Sequence, residues 1–111
     1  MKWEQINAIE QLDQIDTLSK THAVLLFKHS TRCSISDAAI SRLEREWTEE
    51  DSSKMKPYYL DLIAYRSVSN AIAERYHVEH ESPQVLVIKN GKCVYNESHM
   101  NIRVNALREE M

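Results

Sequence analysis

Residues 23–27 read Ala-Val-Leu-Leu-Phe, a continuous apolar run with no polar alternation. The run has the length of a strand, and a strand without alternation is buried on both of its faces. A strand of that kind needs a layer packed against each side. This one feature confines the chain to a layered α/β arrangement, provided the remaining sequence supplies the helices.

It does. Asn7 followed three residues later by Glu10 has the spacing of a helix N-terminus. Ile6, Ile9, Leu12 and Ile15 recur at helical intervals, which predicts a helix over 7–20 after a short edge strand over 1–6. Ala39, Leu43 and Trp47, with Ile40 beside them, predict a helix over 34–50, and Asp51-Ser52-Ser53-Lys54 reads as a loop. Pro57 opens a strand over 58–62, where a missing N–H is tolerated. Val68, Ala71, Ile72 and Tyr76 predict a helix over about 66–76. Pro83 precedes a strand over 84–88. Asn90-Gly91 then suits a type I′ hairpin turn, with the return strand at 93–95. A last helix is expected over 98–110. The order is βαβαβαββα in one domain over 1–111, with parallel neighbours from the crossovers and antiparallel ones from the hairpin.

Composition removes several classes of function. The chain has one glycine in 111 residues, where ordinary usage would give about eight. A glycine-rich phosphate cradle is therefore excluded. No apolar stretch approaches the roughly 20 residues of a membrane span, and the N-terminus lacks the apolar core of a secretory signal. The formal net charge is −3, and no basic cluster offers a footprint for nucleic acid. Only two cysteines occur, Cys33 and Cys93, with no Cys-x-x-Cys pair, which is the usage of a reducing cytosol. The five histidines show no zinc spacing, so no metal is expected. The acidic run Glu44, Glu46, Glu49, Glu50 and Asp51 reads as a solvated helix face.

Cys33 falls where the buried strand gives way to the next helix. The first N–H groups of a helix lack partners, and its dipole favours negative charge there. A thiolate is therefore favoured at that position, and Lys28, His29 and Arg32 add neighbouring cations. The thiolate is the nucleophile of thiol–disulfide exchange, so the spacing points to a reactive monothiol. The alternative is a small half-buried residue with no chemistry. Ser36 stands three residues on, where a dithiol motif would carry its resolving cysteine. Its hydroxyl can donate to the thiolate one turn back, or simply serve the helix start. Pro83 either opens its strand in trans or, as a cis residue beside Cys33, turns the Ser82 backbone toward an extended substrate. Cys93 reads as a packed strand residue.

The element order, the helix-start cysteine and the X-Pro before the fourth strand resemble a thioredoxin fold, with a mixed central sheet flanked by helices. More narrowly, His29-Ser30-Thr31-Arg32-Cys33-Ser34-Ile35-Ser36 and Ser82-Pro83-Gln84 resemble the YtxJ-like monothiol bacilliredoxins. The resemblance covers nearly the whole chain. It implies a cytosolic thiol–disulfide oxidoreductase that removes bacillithiol from mixed disulfides on client proteins. Carried over, Cys33 is the attacking thiol, Ser36 replaces the resolving cysteine and Pro83 is the cis-proline. Lys28 and Arg32 become candidate partners for the malate carboxylates of bacillithiol, with Ser34 and Ser82 beside them. The family pattern has proline directly after the cysteine. Here Ser34 offers an N–H and a hydroxyl instead. Two other functions compete: an iron–sulfur carrier of the monothiol glutaredoxin type, and a redox-inactive binding module.

Overall fold

A computed structural model describes residues 1–111. Its strands are β1 (Glu4–Gln5), β2 (Ala23–His29), β3 (Met55–Asp61), β4 (Gln84–Lys89) and β5 (Lys92–Ser98). Its helices are α1 (Gln11–Leu18), α2 (Ser34–Glu46), α3 (Glu49–Lys54), α4 (Arg66–Tyr76) and α5 (Val104–Arg108). The sheet order is β1-β3-β2-β4-β5. β1 and β2 run parallel to β3, whereas β4 is antiparallel to both β2 and β5.

β2 is buried along its whole length, as its unbroken apolar run requires. Successive side chains of a strand point to opposite faces. Val24 and Leu26 enter a core with Leu12 and Ile15 of α1 and Val68 and Ile72 of α4. Ala23, Leu25 and Phe27 enter a second core with Ala39 and Leu43 of α2 and Val104 and Leu107 of α5. Helices therefore cover both faces. The strand also runs two residues beyond the apolar run, through Lys28 and His29.

Several expected boundaries move, each for a local reason. α1 begins at Gln11 rather than Asn7, and Glu10 at its N-cap makes no side-chain cap bond. Gln11 Oε1 instead accepts from the backbone N–H groups of Asn7 and Ala8 at 2.7 and 3.0 Å, folding those residues into a turn. The helix expected over 34–50 breaks at Trp47, and residues 51–54, expected as a loop, are helical. Thr48 and Asp51 form a reciprocal capping box there: Asp51 N–H donates to Thr48 Oγ1 at 3.2 Å, and Thr48 N–H to Asp51 Oδ2 at 2.9 Å. Asp51 is thus buried, not part of a solvated face, and Arg108 of α5 holds both its oxygens at 3.0 Å.

The final helix is also shorter than expected. β5 continues to Ser98, a turn of 3-10 helix spans His99–Asn101, and α5 covers only Val104–Arg108. His99 adopts a left-handed conformation, φ 59°, which no helix interior accepts. The hairpin has positive φ at both Asn90 (53°) and Gly91 (71°), as a type I′ turn demands.

Arg108 holds the Asp51 carboxyl below the ordinary carboxylate range. A carboxyl depressed on folding stabilises the fold above its unfolded value, and that stability is lost as pH falls through the lower folded value. Thr48→Ala is expected to cost about 1 kcal/mol through the lost cap. Asp51→Asn should cost more and should flatten the loss of stability below about pH 4. Urea midpoints measured across the acid range test both.

Candidate active site

The strand-to-helix junction after β2 holds the candidate nucleophile, Cys33. β2 ends at His29, and α2 begins at Ser34. Cys33 is the N-cap of α2, with extended backbone angles of φ −118° and ψ 120°. Its N–H donates to Ser30 O at 3.2 Å, and its carbonyl accepts from Asp37 N–H at 3.0 Å. Those two bonds fix the loop as a tight turn. The N–H groups of Ser34, Ile35 and Ser36 lie in the first turn, where no earlier helical carbonyl can accept them. The half-buried thiol of Cys33 sits at this electropositive end. Arg32 and Ser34 on either side are exposed.

Ser36 is fully buried. Its Oγ accepts from Ser30 N–H at 3.0 Å and lies 2.6 Å from His29 Nδ1. It makes no hydrogen bond to Cys33. The hydroxyl therefore braces the loop from beneath. His29, expected as a cation beside the thiol, is itself buried, with Nε2 3.5 Å from Asp37 Oδ1. Burial holds its pKa below the ordinary 6.5, against the opposing pull of Asp37, Asp61 and Glu44. The ring is neutral at pH 7.

Lys28 departs from expectation most. As the next residue in a strand it points to the opposite face from His29, and it is fully buried beneath the sheet. Its Nζ donates to Ser69 O at 3.2 Å and lies 3.3 Å from His80 Nδ1. It cannot meet a carboxylate at the surface, so its assignment as a bacillithiol contact is withdrawn. Burial without a counter-charge lowers its pKa to about 8.

The Ser82–Pro83 bond is cis. Gln84, the next residue, pairs with Lys28, which puts this loop at the same end of the sheet as Cys33. Ser82 Oγ is buried and has no hydrogen-bond partner. Pro83 O accepts from His99 N–H at 2.9 Å, and the His99 ring reaches Glu81 at 3.1 Å. His99 and Met100 then line a groove of about 160 Å³ against Ser34, Ile35, Ala38 and Arg42. Ile35 and Met100 are well exposed. Nothing in the sequence marks His99 or Met100 for this position, because residues 98–110 read as one amphipathic helix. The largest cleft, about 530 Å³, lies at the other end of the sheet among Met1, His22, Trp47 and Lys56, and it touches none of these residues.

Cys93 also lies toward that other end. It pairs with Ile88, which pairs with Val24, five residues before His29. At about 3.3 Å per residue the separation from the site end is about 16 Å. A disulfide needs Cα atoms within about 7 Å, so the two thiols cannot join in this fold. Burial raises the Cys93 pKa, and its Sγ donates to Tyr95 O at 3.2 Å.

Comparison with known proteins bears on this arrangement. The family model for monothiol bacilliredoxin BrxC matches residues 4–107. The chain belongs to that family. Monothiol bacilliredoxins are thiol oxidoreductases that work with a low-molecular-weight thiol and thiol-modified client proteins. A thioredoxin-fold protein proposed to be an oxidoreductase superposes with a TM-score of 0.79 at 31% identity, covering 95% of this chain and 89% of its own. Thioredoxin from Malassezia sympodialis superposes with a TM-score of 0.76 at 14% identity, covering 98% and 87%. Fasciola hepatica thioredoxin gives 0.71 at 17% identity, covering 96% and 94%. The two thioredoxins show the fold, and the thioredoxin-like reading of the sequence holds. In this bacilliredoxin no helix is long and apolar enough to cross a membrane.

Lys28 yields a prediction of definite sign. Its folded pKa lies below the unfolded value, so between about pH 8 and about pH 10.4 the unfolded chain binds the extra proton and stability rises with pH. Lys28→Met should abolish that rise. Urea midpoints for both proteins at about pH 7, 8.5 and 9.5 test this. Parallel curves would mean that the ammonium is not desolvated.

Proposed function

We propose that this protein takes bacillithiol off client proteins through Cys33, as a single domain in the cytoplasm. The reading is carried by one observation: Cys33 is alone. Position 36 holds a buried hydroxyl already bonded to His29 and Ser30, and Cys93 is out of reach. A mixed disulfide on Cys33 has no partner within the chain to resolve it, so a second thiol must come from solution.

In the first step the Cys33 thiolate attacks the bacillithiol sulfur of a client mixed disulfide. A bond forms between those two sulfurs, the bond to the client sulfur breaks, and the client leaves as a thiolate that takes up a proton. In the second step the thiolate of another bacillithiol attacks the bacillithiol sulfur held on Cys33. Oxidised bacillithiol departs and the Cys33 thiolate returns. The free N–H groups at the start of α2 steady the sulfur charge in both steps. Arg32, exposed and next to Cys33 in the sequence, is the candidate cation for a malate carboxylate, and Ser34, exposed on the other side of the cysteine, offers an N–H and a hydroxyl. The Ser82 backbone, turned by cis Pro83, offers an edge to extended client chain, with Ile35 and Met100 as the apolar contact beside it.

Intact mass after incubation with oxidised bacillithiol tests the reading. Wild type should gain one bacillithiol, Cys33→Ser none, and Cys93→Ser one, and reduced bacillithiol should remove each adduct. An unmodified wild type, or an adduct that decays to an internal disulfide, would overturn it.

A further inference from the structure

The break between α2 and α3 leaves a hollow at the end of the sheet away from Cys33. α2 stops at Trp47, where the backbone turns extended with φ −74° and ψ 131°, and α3 starts again at Glu49. Trp47, Glu49 and Ser52 from this corner line the largest cleft, about 530 Å³, together with Lys56 and Pro57 of β3 and Lys2 ahead of β1. Ligand pockets typically hold about 300–1,000 Å³. The cleft falls in that range, whereas the groove beside Cys33, about 160 Å³, does not. The apolar part of the lining includes two rings, the Trp47 indole and Pro57. The indole N–H is already spent, donating to Ser52 Oγ at 2.7 Å. A serine oxygen that accepts a hydrogen bond keeps its own hydrogen to give, and Ser52 makes no second side-chain bond within the protein. Its hydroxyl is a free donor in the cleft.

Lys2 and Lys56 supply the charge. Glu4 pairs with Tyr58 in parallel register, so Lys2 stands level with Lys56, each two residues earlier. Neither joins an ion pair, whereas Lys54, Arg75 and Arg108 all do. Lys56 Nζ lies 5.5 Å from the centroid of the Tyr58 ring, a contact that holds the ammonium without neutralising it. His22 lines this cleft and also a second one of about 290 Å³, where Lys20, Lys54 and Lys89 gather. These lysines are scattered in sequence, but the strand register collects every lysine except Lys28 at this end of the sheet. Glu49 is the single acidic side chain that lines either cleft. Cations gathered in a concave site raise the local concentration of anions.

We propose that this cleft is a second ligand site and that it takes a small planar organic acid. The ring of the ligand lies against Trp47 and Pro57, its acid group meets the Lys2 and Lys56 ammoniums, and the Ser52 hydroxyl donates to one of its oxygens. Both halves of that description are needed. An uncharged ring would leave the two ammoniums unmatched, and a bare anion would leave the ring surfaces uncovered. The site is separate from Cys33, and its binding is independent of the exchange function proposed above.

The chain has two tryptophans, Trp3 and Trp47, so proton–nitrogen NMR of the whole protein shows two indole N–H signals, one of them in the cleft. Three probes separate the parts of the proposal. 2-Naphthoate carries a planar ring and a carboxylate, 2-naphthylmethanol keeps the ring without the charge, and inorganic phosphate keeps the charge without the ring. Naphthoate should move the Trp47 indole signal and the Ser52 and Lys56 amides, with saturation below about 10 mM. Each of the other two probes should bind there at least about threefold more weakly. Lys2→Gln with Lys56→Gln should weaken naphthoate at least about threefold, and Ser52→Ala about fivefold. Lys92→Gln removes the same charge outside both clefts and should leave the affinity unchanged. The remaining signals of each spectrum report that the variant is folded. A naphthoate response confined to Ile35, Met100 and their neighbours would place the ligand in the groove beside Cys33 and overturn the proposal. Absence of saturation, equal binding of the uncharged ring or of phosphate, or an equal loss in Lys92→Gln would overturn it too. Failure here would leave the bacillithiol adduct experiment untouched, and failure of that experiment would leave this one intact.

Discussion

β2 is held between β3 and β4 and covered by helices on both faces, and each part of the site hangs from its last residues. Because side chains alternate across a strand, Phe27 and His29 face α2 while Lys28 faces α4. His29 reaches forward to Ser36 and so fixes the start of α2, on which Cys33 is the cap. Lys28 reaches the opposite way, to Ser69 of α4 and to His80, three residues before the cis Pro83 loop. One stretch of strand thereby ties down the thiol and the cis-proline loop. The strand cannot slip by one residue without exchanging the imidazole and the ammonium between two cores.

The burial of Lys28 has an energetic consequence. An ammonium with only a carbonyl and an imidazole for partners is unfavourable in a core, and its lowered pKa expresses that cost. The ammonium spans from the middle strand to α4 and His80, a distance that a shorter side chain could not cover. It holds the segment before Ser82 against the helix. Its charge has no counterpart in the exchange chemistry, and its contribution to the site is placement of the cis-proline loop.

The parts of this structure legible in the sequence were those set by periodicity. The apolar run of β2, the spacing of Val68, Ile72 and Tyr76 in α4, and the Asn-Gly turn all fold as their patterns require. The junctions were harder. Thr48 and Asp51 carry the S/T-x-x-acid spacing of a capping box, but the apolar stripe ending at Trp47 hid the break between two helices. Residues 98–110 have helical spacing at Ile102, Ala106 and Leu107, and nothing local shows that Ser98 completes a strand. The pairing that decides it, Ser98 with Gln84, is a contact between distant residues. Lys28 misled for a different reason: a lysine at a strand end is usually solvated, and only the packing of α4 reveals its burial. Cys33, Ser36 and Pro83 could be located because helix starts and strand starts leave marks in sequence. His29 could be seen, but its bond to Ser36 could not, since the strand–helix boundary between them breaks any fixed periodicity.

Position 36 is the difference between a dithiol and a monothiol site, and the packing around it explains what the hydroxyl contributes. The Oγ atom accepts from a backbone N–H and contacts an imidazole nitrogen at 2.6 Å, inside a pocket closed to water. A sulfur atom is larger, a weaker acceptor and a weaker donor, and placing it there would crowd the ring and leave Ser30 N–H poorly satisfied. The serine is thus a structural member of the loop that presents Cys33, as well as the absence of a second thiol. With the second sulfur replaced by a bound hydroxyl, the fate of a mixed disulfide passes from the protein to the thiol pool around it. In the proposed exchange, the exposed face near Cys33, with Arg32, Ser34 and the Ile35–Met100 groove, is where a small thiol and a client chain would both reach the same sulfur.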